Sequence, residues 1–261
     1  MHVVAGFSPR SAHSVFFHQN PLGCGIVSKV FDFLAASLNI PLMALPDRMD
    51  LVFEDDSVIV VDKPPGLLTM GTETERARTV YAALREYLNR KRPPEKIFIV
   101  HRLDREASGL LVFAKTIEAK EHLQNQFKDH SAGRRYIAVV EGRVMPDDFT
   151  IRSHLAENTA YRVYSTRKSG AGKLAITHVR VMKRNPRTTL IEVRLETGRK
   201  HQIRVHLAER GHPVAGDKTY GSRSHPIQRM ALHAAHLAFR HPRTGKAMQF
   251  DSRYPKSFNG L

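Results

Sequence analysis

The sequence predicts an α+β fold, a large and mainly antiparallel or mixed sheet with a few flanking helices. Two observations carry the prediction. Runs rich in β-branched and aromatic residues recur from Leu51 to Asp251, whereas segments with a helical period are few and short. Several of the runs follow one another with only turn residues between them, which suits antiparallel neighbours better than a strict alternation of strand and helix.

The elements follow in chain order. Val27, Val30, Phe31, Leu34 and Leu38 repeat at helical spacing, predicting an amphipathic helix over 26–38, which Asn39 through Pro46 break. The first 25 residues show no period and fit either a tail or an arm laid over the domain. LVFED and VIVVD, parted by Asp56 and Ser57 and closed by Pro64, Pro65 and Gly66, predict a hairpin that opens the main domain. Thr79 is placed to cap a helix whose apolar face is Val80, Ala83, Leu84, Tyr87 and Leu88, ending before Pro93 and Pro94. Strands are expected at 97–100 and 109–115, then a helix over 117–128 with Ala119, Leu123 and Phe127 four apart. Further strands are expected at 135–142, 176–184, 189–197, 235–241 and 246–251. Gly198, Arg199 and Lys200 precede or start a helix that carries His201, Arg204 and Leu207.

Composition narrows the function. The 261 residues hold 41 Lys plus Arg against 25 Asp plus Glu, a formal net charge of +16. Residues 1–50 contain three basic and three acidic side chains, so the whole excess lies beyond them and points to a polyanionic partner bound there. A leader over 1–48 and one catalytic domain over 49–261 are therefore expected. The leader carries no basic cluster of its own. Cys24 is the single cysteine, which excludes an internal disulfide and a Cys-rich zinc site. With no secretory signal pattern and no apolar stretch of spanning length, a cytoplasmic protein that binds no membrane is expected.

The densest segment is HRLDREASGLLVFAK, 101–115, in which Asp104 stands between Arg102 and Arg105 on a loop between two strand-like runs. Alone, a carboxylate among arginines is a solvated ion pair. The whole segment, however, resembles the catalytic motif of the RluA-type pseudouridine synthase family. VDKPPGL (61–67) looks like that family's opening motif, RRYIAVVEG (134–142) its tyrosine segment, LETGRKHQIRVHLAERGHPVAGDKTYG (195–221) its third motif and RMALHAAHLAFRHPRTG (229–245) its closing segment. The five stand in the family's order.

The resemblance implies the pseudouridine synthase fold with a basic cleft, and an isomerase that flips specific uridines out of ribosomal or transfer RNA. By the resemblance, Asp104 is the nucleophile, Tyr136 the active-site tyrosine, Arg204 the basic partner of the aspartate, and Arg102 the side chain that enters the space left by the flipped base. Arg105, Arg199, Lys200 and His201 are expected to contact RNA. Lys63 is grouped with them as a support of the cleft. The reaction breaks N1–C1′, rotates the uracil and joins C5 to the sugar. It therefore needs an ionised carboxylate, whether to attack C1′ or C6 or to proceed by a glycal, and no cofactor or metal. The cationic stretches Arg162–Lys173 and Lys183–Arg187 are read as backbone-tracking surface.

Rival readings are weaker. SGAGK (169–173) imitates a phosphate loop, but Leu174 stands where Ser or Thr is required. His201 and His206 are five apart, not in a zinc-helix pattern, and no carboxylate cluster suits a two-metal nuclease. A catalytically inactive RNA-binding protein of the same fold is the alternative, but it would be expected to have lost Asp104 or Tyr136. Structured RNA is the expected partner, and a monomer the expected state.

Overall fold

The computed structural model describes residue 45 and residues 49–72, 75, 77–168, 170–224 and 227–261. These fall within a compact unit spanning Ala44–Leu261. The helix expected over 26–38, and the whole question of tail or arm, lie outside the described residues.

The predicted hairpin is present as β1 (Asp50–Glu54) and β2 (Val58–Lys63), antiparallel. β3 (Phe98–Ile99) and β4 (Ser108–Ala114) follow, then β5 (Gly133–Glu141), β6 (Asp148–Glu157), β7 (Val163–Thr166), β8 (Lys173–Arg184), β9 (Thr188–Leu195), β10 (Leu232–Arg240) and β11 (Ala247–Asp251). They form one mixed sheet in the order β1-β2-β4-β10-β5-β9-β8-β6-β7, with β3 on β4 and β11 on β10. Only β4 and β10 run parallel. Their pairing is close at Gly109, where φ is +111° and an added Cβ would lie 2.3 Å from the Ala234 carbonyl oxygen, so no other residue fits.

Both faces of the central strands are covered, which explains their unbroken apolar runs. Ile59, Val61, Leu111 and Phe113 join one core, together with Val80, Leu84 and Leu88 of helix α1 (Val80–Asn89). Val58, Val60, Leu110 and Val112 point the other way, into a second core closed by Ala119 and Leu123 of helix α2 (Ile117–Lys128). Each helix begins on a threonine cap: Thr79 Oγ1 accepts from the Ala82 amide and Thr116 Oγ1 from the Ala119 amide. Leu45 and Met49 are buried in the first core.

β6 and β7 were not anticipated. β6 buries only Leu155 fully, and Phe149 and Ile151 only in part, so its apolar alternation is broken by Ser153 and edged by Asp148, Thr150 and Arg152. Its partners, β7 and β8, supply the order that its own sequence lacks. The basic stretch 162–173 thereby contains a strand and a turn. Helix α3 (Gln202–Glu209) begins one residue later than a helix carrying His201 would, because His201 is its cap residue, at φ +53°.

Three histidines are buried in the fold as neutral rings. His101 stacks on Phe127 and accepts a hydrogen bond at Nε2 from the Val112 amide. His206 lies between Thr177 and Ser153, and His233 between Ser108 and Ser252. Burial pushes their pKa values down to about 3 for His101 and about 4 for His206 and His233. The unfolded chain protonates them near the ordinary value of 6.5, so below that pH it binds more protons than the folded protein. The stability they contribute is complete above pH 6.5 and is lost as pH falls toward 4. Each adds a slope of up to about 1.4 kcal/mol per pH unit in that window. Urea unfolding of the wild type and His206→Asn at pH 7, 6 and 5 should show a shallower slope in the variant by about one proton; equal slopes would contradict the neutral burial of His206.

Candidate active site

Asp104 lies on the loop between β3 and β4, and the backbone on either side of it is fixed. Before it, the buried Thr69 hydroxyl accepts from the Leu103 amide at 3.1 Å and donates to the Leu103 carbonyl at 2.9 Å. After it, the Arg105 carbonyl accepts from the Gly66 amide at 2.7 Å and from Lys63 Nζ at 3.1 Å. The opening segment and the Asp104 segment, distant in sequence, thus make one rigid support.

Lys63 is fully buried. Its ammonium also donates to the carbonyls of Pro64 (2.9 Å) and Leu67 (2.8 Å), so its three donors meet three acceptors. Burial pushes its pKa down to about 7, opposed by Glu106 and Asp104. This corrects the grouping of Lys63 with RNA contacts: no donor is left to offer, and its place is beneath the loop.

α3 brings Arg204 against Asp104. Gln202, buried at the start of the helix, anchors it: its side chain accepts from Thr197 Oγ1 and the Arg199 amide and donates to the Ile176 carbonyl and Thr177 Oγ1. Arg204 Nη1 donates to Asp104 Oδ2 at 3.1 Å. Its Nε and Nη2 grip Asp217 at 2.7 and 2.9 Å, a two-pronged pair in which the Asp217 side chain is 1% exposed. The Tyr220 ring lies under the guanidinium at 5.0 Å. Burial alone would lower the pKa of Arg204, but the two carboxylates reverse it, so the group stays charged. Gly216, at φ +82°, turns the chain so that Asp217 can reach inward; a Cβ there would strike the Arg229 carbonyl oxygen at 2.3 Å.

The Asp104 side chain retains 17% exposure. His201 Nε2 is 3.8 Å from its Oδ1, and His201 Nδ1 is hydrogen-bonded to the Tyr220 hydroxyl at 2.9 Å. Burial lowers the His201 pKa while Asp104 raises it. Tyr136, on β5 between Ala234 and Val193, is buried. Burial raises its pKa, with Asp104 adding to the effect and Arg134 opposing it, so the phenol is protonated at neutral pH. A cleft of about 360 Å³ adjoins the site, its walls including Pro65, Gly66, Glu106, Arg204 and Asp217.

The other expected contacts sit apart from this cluster or are already occupied. Arg102 is exposed. Arg105 pairs with Glu75 at 2.6 Å, Arg199 Nε donates to the Leu174 carbonyl at 3.0 Å, and Lys200 pairs with Glu157. Asp217, Thr69 and Tyr220 were missed by the sequence reading. A signal for Asp217 did exist: an arginine expected in a dry cleft needs more negative charge than one open carboxylate provides, and Asp217 is a carboxylate in the same motif. Among the described residues no group of three His, Cys, Asp or Glu is placed to hold a metal, and no helix is long and apolar enough to cross a membrane.

A family model described as RNA pseudouridylate synthase matches residues 57–209, a stretch that contains Asp104, Tyr136 and Arg204. The chain belongs to that family. Ribosomal large subunit pseudouridine synthase D of Neisseria meningitidis is 38% identical over 229 residues, covering 83% of this chain and 61% of that protein. An uncharacterized RNA pseudouridine synthase of Bacillus subtilis is 38% identical over 224 residues, 84% of this chain and 74% of its own length. In fold, the human RNA pseudouridylate synthase domain containing 4 superposes with a TM-score of 0.66 at 21% identity, covering 89% of this chain and 95% of that one. The chain spans about three-fifths of the length of the Neisseria relatives.

The geometry separates the two carboxylates held by Arg204. Asp217→Asn leaves a buried guanidinium short of charge, and the free energy of unfolding should fall by about 3 kcal/mol. Asp104→Asn keeps the Asp217 pair intact and should change it by less than about 1 kcal/mol, the usual range for a partly solvated pair. Denaturant titrations of both variants check the contrast; equal losses would remove Asp217 as the anchor.

Proposed function

We propose that this chain isomerises uridine in structured ribosomal RNA to pseudouridine, with Asp104 as the catalytic carboxylate, Arg204 as the cation that holds it and Tyr136 as the aromatic beside it. The observation that carries this reading is the Asp104–Arg204 contact at 3.1 Å, made within the family-matched stretch and backed by Asp217. Ribosomal RNA is favoured over transfer RNA by the names of the Neisseria relatives, ribosomal large subunit pseudouridine synthases.

The isomerisation conserves atoms. N1–C1′ breaks, C5–C1′ forms, C5 gives up its proton and N1 ends with one. Attack at C1′, attack at C6 and the glycal route share one requirement, an ionised oxygen held in place, and Asp104 supplies it. Fixing that oxygen before the substrate arrives removes the cost of arranging it during the reaction. Tyr136, a protonated phenol, serves as a stacking face and hydrogen-bond donor for the extruded uracil. Arg102, exposed and two residues from Asp104, fills the gap in the stack left by the flipped base. An inactive RNA-binding protein of the same fold would have no use for a carboxylate so held.

Mapping pseudouridines in total RNA with and without the gene should reveal specific sites lost from ribosomal RNA. Restoring the gene as Asp104→Asn should recover none of them, although the purified variant folds and binds RNA; recovery of the sites would refute the role of Asp104. In vitro, dialysis against EDTA should leave wild-type turnover unchanged, since no step of the isomerisation calls for a metal.

A further inference from the structure

Among the described residues, one buried cation has neither a counter-charge nor a full set of acceptors. Arg134 on β5 is 8% exposed, and its Nε is the single buried side-chain nitrogen or oxygen without a hydrogen-bond partner. One long contact runs from its Nη2 to the Glu196 carbonyl at 3.5 Å, and the Phe127 ring covers the guanidinium at 5.2 Å. Other buried cations are provided for. Arg204 has two aspartates, Lys115 has Glu54 and Glu95, and Lys63 has three carbonyls. An unpaired buried charge costs several kcal/mol unless a partner from outside the fold meets it.

The position of Arg134 indicates what that ligand is. It lies two residues before Tyr136 on the same strand, so both side chains rise from one face of the sheet about 7 Å apart. A single nucleotide is long enough to bridge that gap between its base and its backbone. On its other side, Nη1 reaches the backbone at Gly198, where an added Cβ would lie 2.3 Å away, so the missing side chain makes room for the guanidinium.

We propose that Arg134 is a binding residue for the RNA backbone, its guanidinium taking a phosphate oxyanion of the nucleotide held between Asp104 and Tyr136 or of its immediate neighbour. The proposal rests on the pseudouridine synthase reading for the identity of the anion. The phosphate supplies the missing charge and an acceptor for Nε, the donor left without a partner. The RNA thus completes an ion pair of which the protein carries only half. Because the charge goes uncompensated until RNA binds, part of the binding energy is released at the reacting nucleotide itself.

The test is a salt series of binding to protein-free large-subunit ribosomal RNA, with stability measured in parallel. Arg134→Met should lower the slope of log affinity against log salt by about 0.7 to 0.9, the value of one phosphate contact. Affinity should fall roughly tenfold, in the range of a charge-assisted hydrogen bond. The urea midpoint should hold or rise, since the variant removes an uncompensated charge without opening a large cavity. Arg134→Lys should keep the slope and lose part of the affinity. Gly198→Ala displaces the guanidinium without removing its charge, and should weaken binding in the wild type but add nothing on the Arg134→Met background. An unchanged slope in Arg134→Met, or a lowered midpoint with unchanged binding, would overturn the proposal and leave Arg134 a packing residue. Binding needs no turnover. Failure of the enzyme to make pseudouridine would therefore count against the function and leave this assignment to the salt slopes.

Discussion

The guanidinium of Arg204 is the constraint on which the site depends. Placing it in a nearly dry position costs several kcal/mol of lost hydration, which one partly solvated carboxylate does not recover. Asp217 makes the burial tolerable by meeting Nε and Nη2 together, and the Tyr220 ring covers the flat face. Only then is Nη1 held at a fixed place, facing the loop that carries Asp104. One cation thus serves two acids differently: the buried one sets its orientation, and the more open one is oriented by it. Exchanging their exposures would leave the proposed catalytic carboxylate sealed and the anchor loose.

A fixed cation would achieve little against a mobile aspartate. The short loop before β4 has no helix or ladder of its own at Asp104, so its backbone groups need partners from elsewhere. Thr69 answers both polar groups of Leu103, and Gly66 with Lys63 answers the carbonyl of Arg105. Both sets come from the end of β2 and the stretch just after it, and β2 is itself paired to β4 residue by residue from Val58↔Ala114 to Lys63↔Gly109. The chain therefore approaches Asp104 from two sides with supports that belong to the sheet. This is the rigidity expected where geometry must precede the substrate.

How much of this was legible depended on whether the information was local. β2 and β4 could be read because strands buried on both faces carry unbroken apolar runs, and Thr79 could be read as a cap because a cap acts within three residues. β6 could not, since its order comes from β7 and β8 and its own alternation fails at Ser153. The Asp104–Arg204 contact was expected from the family resemblance of two motifs 100 residues apart, not from periodicity or charge. Asp217 stood in plain view within the third motif, but nothing in a linear sequence says which of two acids an arginine will grip with both prongs. His201 was placed on a helix, and proved to be its cap, because a left-handed φ in a non-glycine residue has no clear sequence signal.

Charge was the boldest feature of the sequence and the least specific guide to the site. A net +16 points to a polyanionic partner, yet a cation already held by the protein is less free to meet one. Lys200 is engaged with Glu157, Arg199 with a carbonyl of β8 and Lys63 with three carbonyls, although each stands in a motif that invites an RNA contact. Lys63 and Arg134 make the sharpest comparison. Both are buried and both stand in a motif of the catalytic domain, but the donors of Lys63 are all matched, whereas Arg134 keeps a bare Nε and no acid. A matched buried cation is part of the frame, because moving it would strip three hydrogen bonds. An unmatched one costs the free protein stability, and such a cost persists in a fold when a bound anion offsets it. The state of the partners, more than the number of positive residues, therefore decides which cations support the site and which await the RNA.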